Sequence, residues 1–179
     1  MKRLLFLSVL VLALIAMLLL EVGPVAAKAT RTELTACEYD EGFDPDQDIW
    51  TFPGPNAHLR GRIHPFHDYA TDGRVTGLVM VVASGNFNAD GIGTAWGTFT
   101  LSPDDPSYAG YWEGTWVGPD NQPEIRLVGH GRGEFKGLEL RETLVWDAES
   151  MGNCPSVSPG LESFPISGYI DGYILDPGK

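Results

Sequence analysis

Two kinds of hydrophobic patterning divide this chain near residue 27. Leu4 to Leu20 is one long apolar run behind Lys2 and Arg3, and Pro24-Val25-Ala26-Ala27 follows it with small residues. A positive start, an apolar middle and a small-residue end are the parts of an export signal, so residues 1–27 are expected to be a signal peptide cleaved after Ala27. Ala27-Lys28-Ala29 offers a second cleavage option. The run is long for a signal and just short of a membrane span, so a retained N-terminal anchor is the other reading. Either way residues 28–179 are expected to be a single extracytoplasmic domain, secreted or held at a cell surface or in a periplasm.

After residue 28 the pattern changes to short alternating runs broken by Gly, Pro, Asn and Asp, which is strand rather than helix periodicity. Strands are predicted at Thr32–Cys37, Ile49–Phe52, His58–His64, Arg74–Ala83, Ile92–Leu101, Tyr108–Val117, Ile125–Arg132, Leu138–Trp146 and Ile166–Leu175. Turn chemistry separates them at Ala89-Asp90-Gly91, Ser102–Pro106, Gly118–Asn121 and Asn153–Pro159. The expected fold is all-β, an antiparallel β-barrel of about eight strands, with a β-sandwich as the second choice.

Glycine placement favours the barrel. Pairing Leu101 with Tyr108 sets Phe99 against Gly110, Gly97 against Trp112 and Gly93 against Trp116, so that each ring covers a glycine, as in curved sheets. In the last strand Ile166, Gly168, Ile170, Gly172 and Ile174 share one face. The stretches Gly93-Thr94-Ala95-Trp96-Gly97-Thr98-Phe99 and Gly131-Arg132-Gly133-Glu134-Phe135-Lys136-Gly137-Leu138 resemble the small β-barrels of the allene-oxide-cyclase and dirigent type. The similarity spans residues 74–146 and consists of glycine placement. It implies an eight-stranded barrel with a central cavity and carries no catalytic residue across; the tryptophan-rich hairpin departs from those families.

Composition then narrows the function. The chain has 179 residues and a formal net charge of −12. Losing two basic residues and one acidic one (Lys2, Arg3, Glu21) with the leader makes it −13. Nucleic-acid binding needs a basic footprint and is excluded as a reading. No P-loop, dinucleotide fingerprint, zinc-ligand spacing or nucleophile elbow occurs, and no cofactor is implied. In an oxidising compartment the two cysteines, Cys37 and Cys154, are expected to form one disulfide.

Three residues are singled out as ligand-binding candidates: Trp96, Glu113 and Glu142. Glu142 shares a strand face with Leu138, Leu140, Leu144 and Trp146, so one carboxylate sits among apolar neighbours. Burial would raise its pKa unless a cation pairs with it, and Arg126, His130 and Arg132 on the adjacent strand are the expected cations. Glu113 shares a face with Tyr111 and Thr115, opposite Trp96 in the register above, a mixed surface suited to a cavity or to solvent. His58, Arg60, Arg62 and His64 read as a basic stripe, receptive to an anion or guarding a sheet edge. His64-Pro65-Phe66-His67-Asp68 has metal-like spacing, but Pro65 rules out a helical arrangement, and no metal is assigned. The acids Glu38, Asp40, Glu41, Asp44, Asp46 and Asp48 suit calcium chemically, yet lack the EF-hand glycine and terminal glutamate. The five tryptophans are read first as core.

These features support an exported β-barrel that binds a small, largely apolar molecule in its interior. The alternatives are an isomerase or cyclase using a cavity carboxylate, Glu142 or Glu113, and a structural or partner-binding secreted protein with a filled core. Contact with a membrane is expected only through an uncleaved N-terminal segment. Oligomeric state is not legible.

Overall fold

The computed structural model describes residues 28–42, 50–118, 124–146, 148–154 and 166–178. The expected leader, residues 1–27, lies outside the described residues, as do positions 43–49 of the acidic run. Thr30–Asp176 forms one compact unit. Residues 1–29 and 177–179 form a second, of which only Lys28, Ala29, Pro177 and Gly178 are described. Among the described residues, no helix is long and apolar enough to cross a membrane.

Among the described residues, nine strands follow in order: β1 (Thr30–Asp40), β2 (Trp50–Thr51), β3 (Ala57–Ala70), β4 (Gly77–Phe87), β5 (Gly93–Pro103), β6 (Tyr111–Gly118), β7 (Glu124–Arg132), β8 (Glu139–Val145) and β9 (Ile166–Asp176). A short helix, α1 (Ala148–Met151), precedes β9. Strands β3 to β9 form an antiparallel meander, and β1 closes it by pairing with both β9 and β3. The result is a closed eight-stranded antiparallel barrel, with β2 added outside on the first residues of β3. Closure removes the free edges that an open sheet would expose.

Alternation along each strand supplies the interior. Leu34 and Ala36 of β1, Phe99 and Leu101 of β5, Trp112 and Trp116 of β6, Leu140 and Leu144 of β8, and Ile170 and Ile174 of β9 are all buried. Phe99 lies across Gly114, and Trp116 across Gly97: a Cβ on either glycine would come within 2.8 Å of the Phe99 ring or 2.7 Å of the Trp116 indole. The ring-over-glycine device is therefore present, but the expected register is not. Leu101 pairs with Trp112, Phe99 with Gly114 and Gly97 with Trp116. The expected pairing placed Tyr108 in β6, whereas Tyr108 belongs to the β5–β6 connection. There its ring packs against Phe135 at 5.7 Å, while Asp105 caps the turn by accepting from Ser107 N at 2.8 Å. The connection is four residues longer on the β6 side than a hairpin starting at Tyr108. An even shift leaves every side chain on its expected face.

One end of the barrel is plugged. Trp112 and Val75 are fully buried there, Trp112 stacks on Phe135 at 5.2 Å, and its indole N–H donates to the Arg74 carbonyl at 2.8 Å. These residues come from the β3–β4 connection, β6 and the 3-10 turn Gly133–Phe135 after β7. The Cys37–Cys154 disulfide is present, with Cα atoms 5.7 Å apart. It lies outside the barrel wall beside Tyr39 and Tyr169, and joins β1 to the chain just after α1.

Candidate functional site

The strand ends opposite the plug enclose a cavity of about 660 Å³. Its walls are mainly apolar, with Leu59, Phe66, Val81, Ile125, Leu127 and Leu144 among them. Trp146 and Ile92, 46% and 39% exposed, stand at its mouth. Polar groups are few: Glu38, Arg62, His64 and Ser167.

A bulge in β3 decides which of these face inward. The pairing with β4 runs Leu59 to Gly85 and then Arg62 to Ala83, so β3 carries one extra residue there. Gly61 takes it up at φ +69°, a left-handed conformation that glycine adopts without a Cβ penalty. Parity therefore reverses: Leu59 is inward before the bulge, and Arg62, His64, Phe66 and Asp68 are inward after it. The basic stripe expected over His58–His64 is split. Arg60 stays outside, donating to the Gly85 carbonyl at 2.7 Å and to Asn86 Oδ1 at 2.6 Å. His64 turns inward and donates through Nε2 to Asp40 Oδ1 at 2.8 Å. His67 points the other way, to Asp104 Oδ2 at 2.9 Å, so the two histidines of the metal-like spacing lie on opposite faces of β3.

Among the described residues, three carboxyls are buried in the interior: Glu38, Asp68 and Glu142, at 7%, 3% and 4% exposure. Glu38 lies directly across the β1–β3 pair from Asp68, and Glu142 lies across from Leu127 and Gly172. Burial pushes the Glu38 carboxyl up to about 8; the Ser167 hydrogen bond opposes this and the charge of Asp40 adds to it. Burial likewise lifts Glu142 to about 8, with the charge of Glu38 adding to it. Asp68 is raised well above its ordinary value by burial and by the charges of Glu38 and Glu142. Asp68 Oδ1 and Glu142 Oε1 are buried and accept no hydrogen bond among the described residues. Asp40 differs: burial raises it, but bonds from His64 and the Gly42 N–H, with the charges of His64 and Arg62, hold it below its ordinary value.

The structure does not bring the three candidate ligand residues together. Glu142 is inside the barrel. Trp96 is on the outer face, 37% exposed, with the Arg60 guanidinium 5.6 Å from its ring centroid. Glu113 is also outside, accepting from Arg132 Nε at 2.7 Å. It faces Thr100 across the β5–β6 pair, and Trp96 faces Val117, because the register differs by four residues from the expected one. The cations expected beside Glu142 are outside too. Arg126, His130 and Arg132 occupy the exposed, even positions of β7, while its odd positions face inward. Sequence reasoning named Glu38 and Asp68 only within the acidic run and the metal-like spacing, and missed both as interior groups. Leu34-Ala36-Glu38 carries the same alternation that singled out Glu142, and a glycine inside a strand is a bulge signal.

In class, then, this is a closed antiparallel barrel with one end filled and a mostly apolar cavity at the other. Comparison with known proteins adds no relative: no family model, curated protein or solved structure matches the chain.

Proposed function

We propose that this chain is an exported β-barrel protein that binds a small, largely apolar molecule in the barrel interior. The cavity of about 660 Å³ carries this reading. Sites for small molecules run about 300–1,000 Å³, with apolar walls and a few placed polar groups, and a purely structural barrel has no need to leave that volume unfilled. Export is supported by the leader pattern of residues 1–27 and by the disulfide, which persists in oxidising compartments. A second reading, an isomerase-type enzyme, is favoured by one observation: a carboxyl raised to about 8 on the cavity wall is poised for proton transfer. That role would fall to Glu38 rather than to Glu142 or Glu113, neither of which lines the cavity.

Native mass spectrometry of the protein as exported by its expression host tests the binding reading. A co-purified organic adduct is expected, and Ala95→Phe, which places a ring in the cavity wall, is expected to lose it while keeping the strand circular-dichroism signal. An adduct that persists in Ala95→Phe would place binding elsewhere. No adduct, together with no uptake of added apolar compounds, would end the reading.

A further inference from the structure

Two polar groups on the cavity wall are better suited to giving a hydrogen bond than to receiving one. Trp116 is 8% exposed and lines the cavity, yet its indole N–H has no hydrogen-bond partner among the described residues. An indole nitrogen can only donate, and a buried donor is rarely left without an acceptor. Glu38 is the second group, 7% exposed, and it lines the same cavity from β1, across the barrel from β6.

The surroundings of Glu38 fix what it offers. Asp68 faces it from β3, its own charge acts on Glu142 of β8, Asp40 is its neighbour on β1, and Ser167 of β9 bonds its side chain. Arg62 and His64 share the cavity, but both act on Asp40, which His64 contacts at 2.8 Å. Ionising Glu38 would put a charge into an apolar wall beside other carboxyls, so at neutral pH it keeps its proton, consistent with a value of about 8. A neutral carboxyl can accept from Ser167 on one oxygen and still has an O–H to donate.

Resting on the reading of this cavity as a binding site, we infer that its ligand is an uncharged lipophilic molecule bearing a hydrogen-bond-accepting oxygen, such as a ketone, ester or ether, held by the Trp116 N–H and the Glu38 carboxyl. An anionic ligand would enter a wall already crowded with carboxyls. A cationic one would need Glu38 ionised, would meet Arg62 and His64, and would leave the Trp116 N–H unanswered. The neutral acceptor alone satisfies both donors and fits the apolar walls formed by Leu59, Val81, Ile125 and Leu127.

The experiment is calorimetric titration of the folded, disulfide-bonded protein with three ten-carbon probes: a methyl ketone, decylamine and decanoate. At pH 6.5 the ketone is expected to bind about tenfold more tightly than either charged probe, and its affinity is expected to fall severalfold by pH 9 as Glu38 ionises. Glu38→Gln, which keeps an N–H donor, is expected to hold ketone affinity within about threefold and to abolish that fall. Trp116→Phe is expected to weaken the ketone by roughly three- to tenfold, the loss of one hydrogen bond, with the strand signal retained. Tighter binding of decylamine or decanoate, or a ketone affinity that is flat from pH 6.5 to 9, overturns the ligand class and leaves the cavity reading standing. Failure of all three probes to bind removes the cavity reading and the inference with it.

Discussion

A carboxyl buried in an apolar interior keeps its proton because burial penalises the charged form, and this interior holds three such groups, Glu38, Asp68 and Glu142. The consequence for stability has a definite sign. In the unfolded chain these carboxyls ionise near pH 4, whereas in the barrel Glu38 and Glu142 hold their protons to about 8. Between those values the folded state binds more protons, so stability falls as the pH rises, and above pH 8 the contribution is lost. Asp40 and Asp72 act oppositely. His64 and Gly42 outweigh the burial of Asp40, and Arg74 bonds Asp72, lowering both; the stability they add is lost as the pH falls through their depressed values. The barrel should therefore be most stable in mildly acidic solution, and urea midpoints at pH 5 should exceed those at pH 8. Glu142→Gln, a neutral isostere, should remove up to roughly 1.4 kcal/mol per pH unit from that slope, the value for one proton. A midpoint that rises from pH 5 to pH 8 would contradict the buried, protonated state of all three groups.

At the scale of the strand, one residue of backbone decides what the interior contains. Gly61 at φ +69° has nothing within 4 Å of where a Cβ would stand, so Gly61→Ala costs only conformational strain, about 1–2 kcal/mol. Deleting Gly61 is a different change: it removes the extra residue and leaves Leu59 and Phe66 at an even spacing, so a regular strand still turns both inward, and the strand circular-dichroism signal should be retained. Gly97 shows the opposite limit, because a Cβ there would lie 1.8 Å from the Val82 carbonyl oxygen. Gly97→Ala should cost roughly 1–3 kcal/mol or more in chemical denaturation, and a neutral result would mean that the sheet does not approach so closely at that point. These positions also explain what the sequence made legible. Glu142 could be placed inside because β8 alternates without interruption. Asp68 could not, since it follows both the bulge and Pro65, in a part of β3 beyond the predicted end at His64. Glu38 was hidden by its acidic neighbours, whose charge pattern suggested calcium rather than an inward face. The ring-over-glycine rule gave the right faces for Trp112 and Trp116 but the wrong partners. Period-2 patterning cannot distinguish registers an even number of residues apart, and the packing of Tyr108 on Phe135 chose between them.

The whole barrel depends on a seam made by its first strand. Strands β3 to β9 each pair with a neighbour in sequence, but β1 must find β9 as well as β3, with Thr30 opposite Asp176 at the far end of the domain. Such long-range pairing forms late and is entropically costly, because the intervening chain must be closed into a loop. The disulfide acts on the same seam. Cys37 lies in the middle of β1, and Cys154 stands before β9, 117 residues away along the chain. Cross-linking them limits the unfolded ensemble, an effect of about 4.7 kcal/mol in the loop-entropy treatment for a loop of roughly 100 residues. Replacing both cysteines by alanine should lower unfolding stability by about 2–5 kcal/mol, measured in urea. The loss should also be local in its first signs: hydrogen exchange should accelerate along β1 and β9 before it does along β5 to β7, whose pairings are with sequence neighbours. The cavity wall includes Glu38 of β1 and Ser167 of β9, so loosening this seam should weaken ligand uptake even where most strands stay protected. Uniform acceleration of exchange across all strands would instead show that the barrel opens as one cooperative unit, with the disulfide stabilising it only through the unfolded chain.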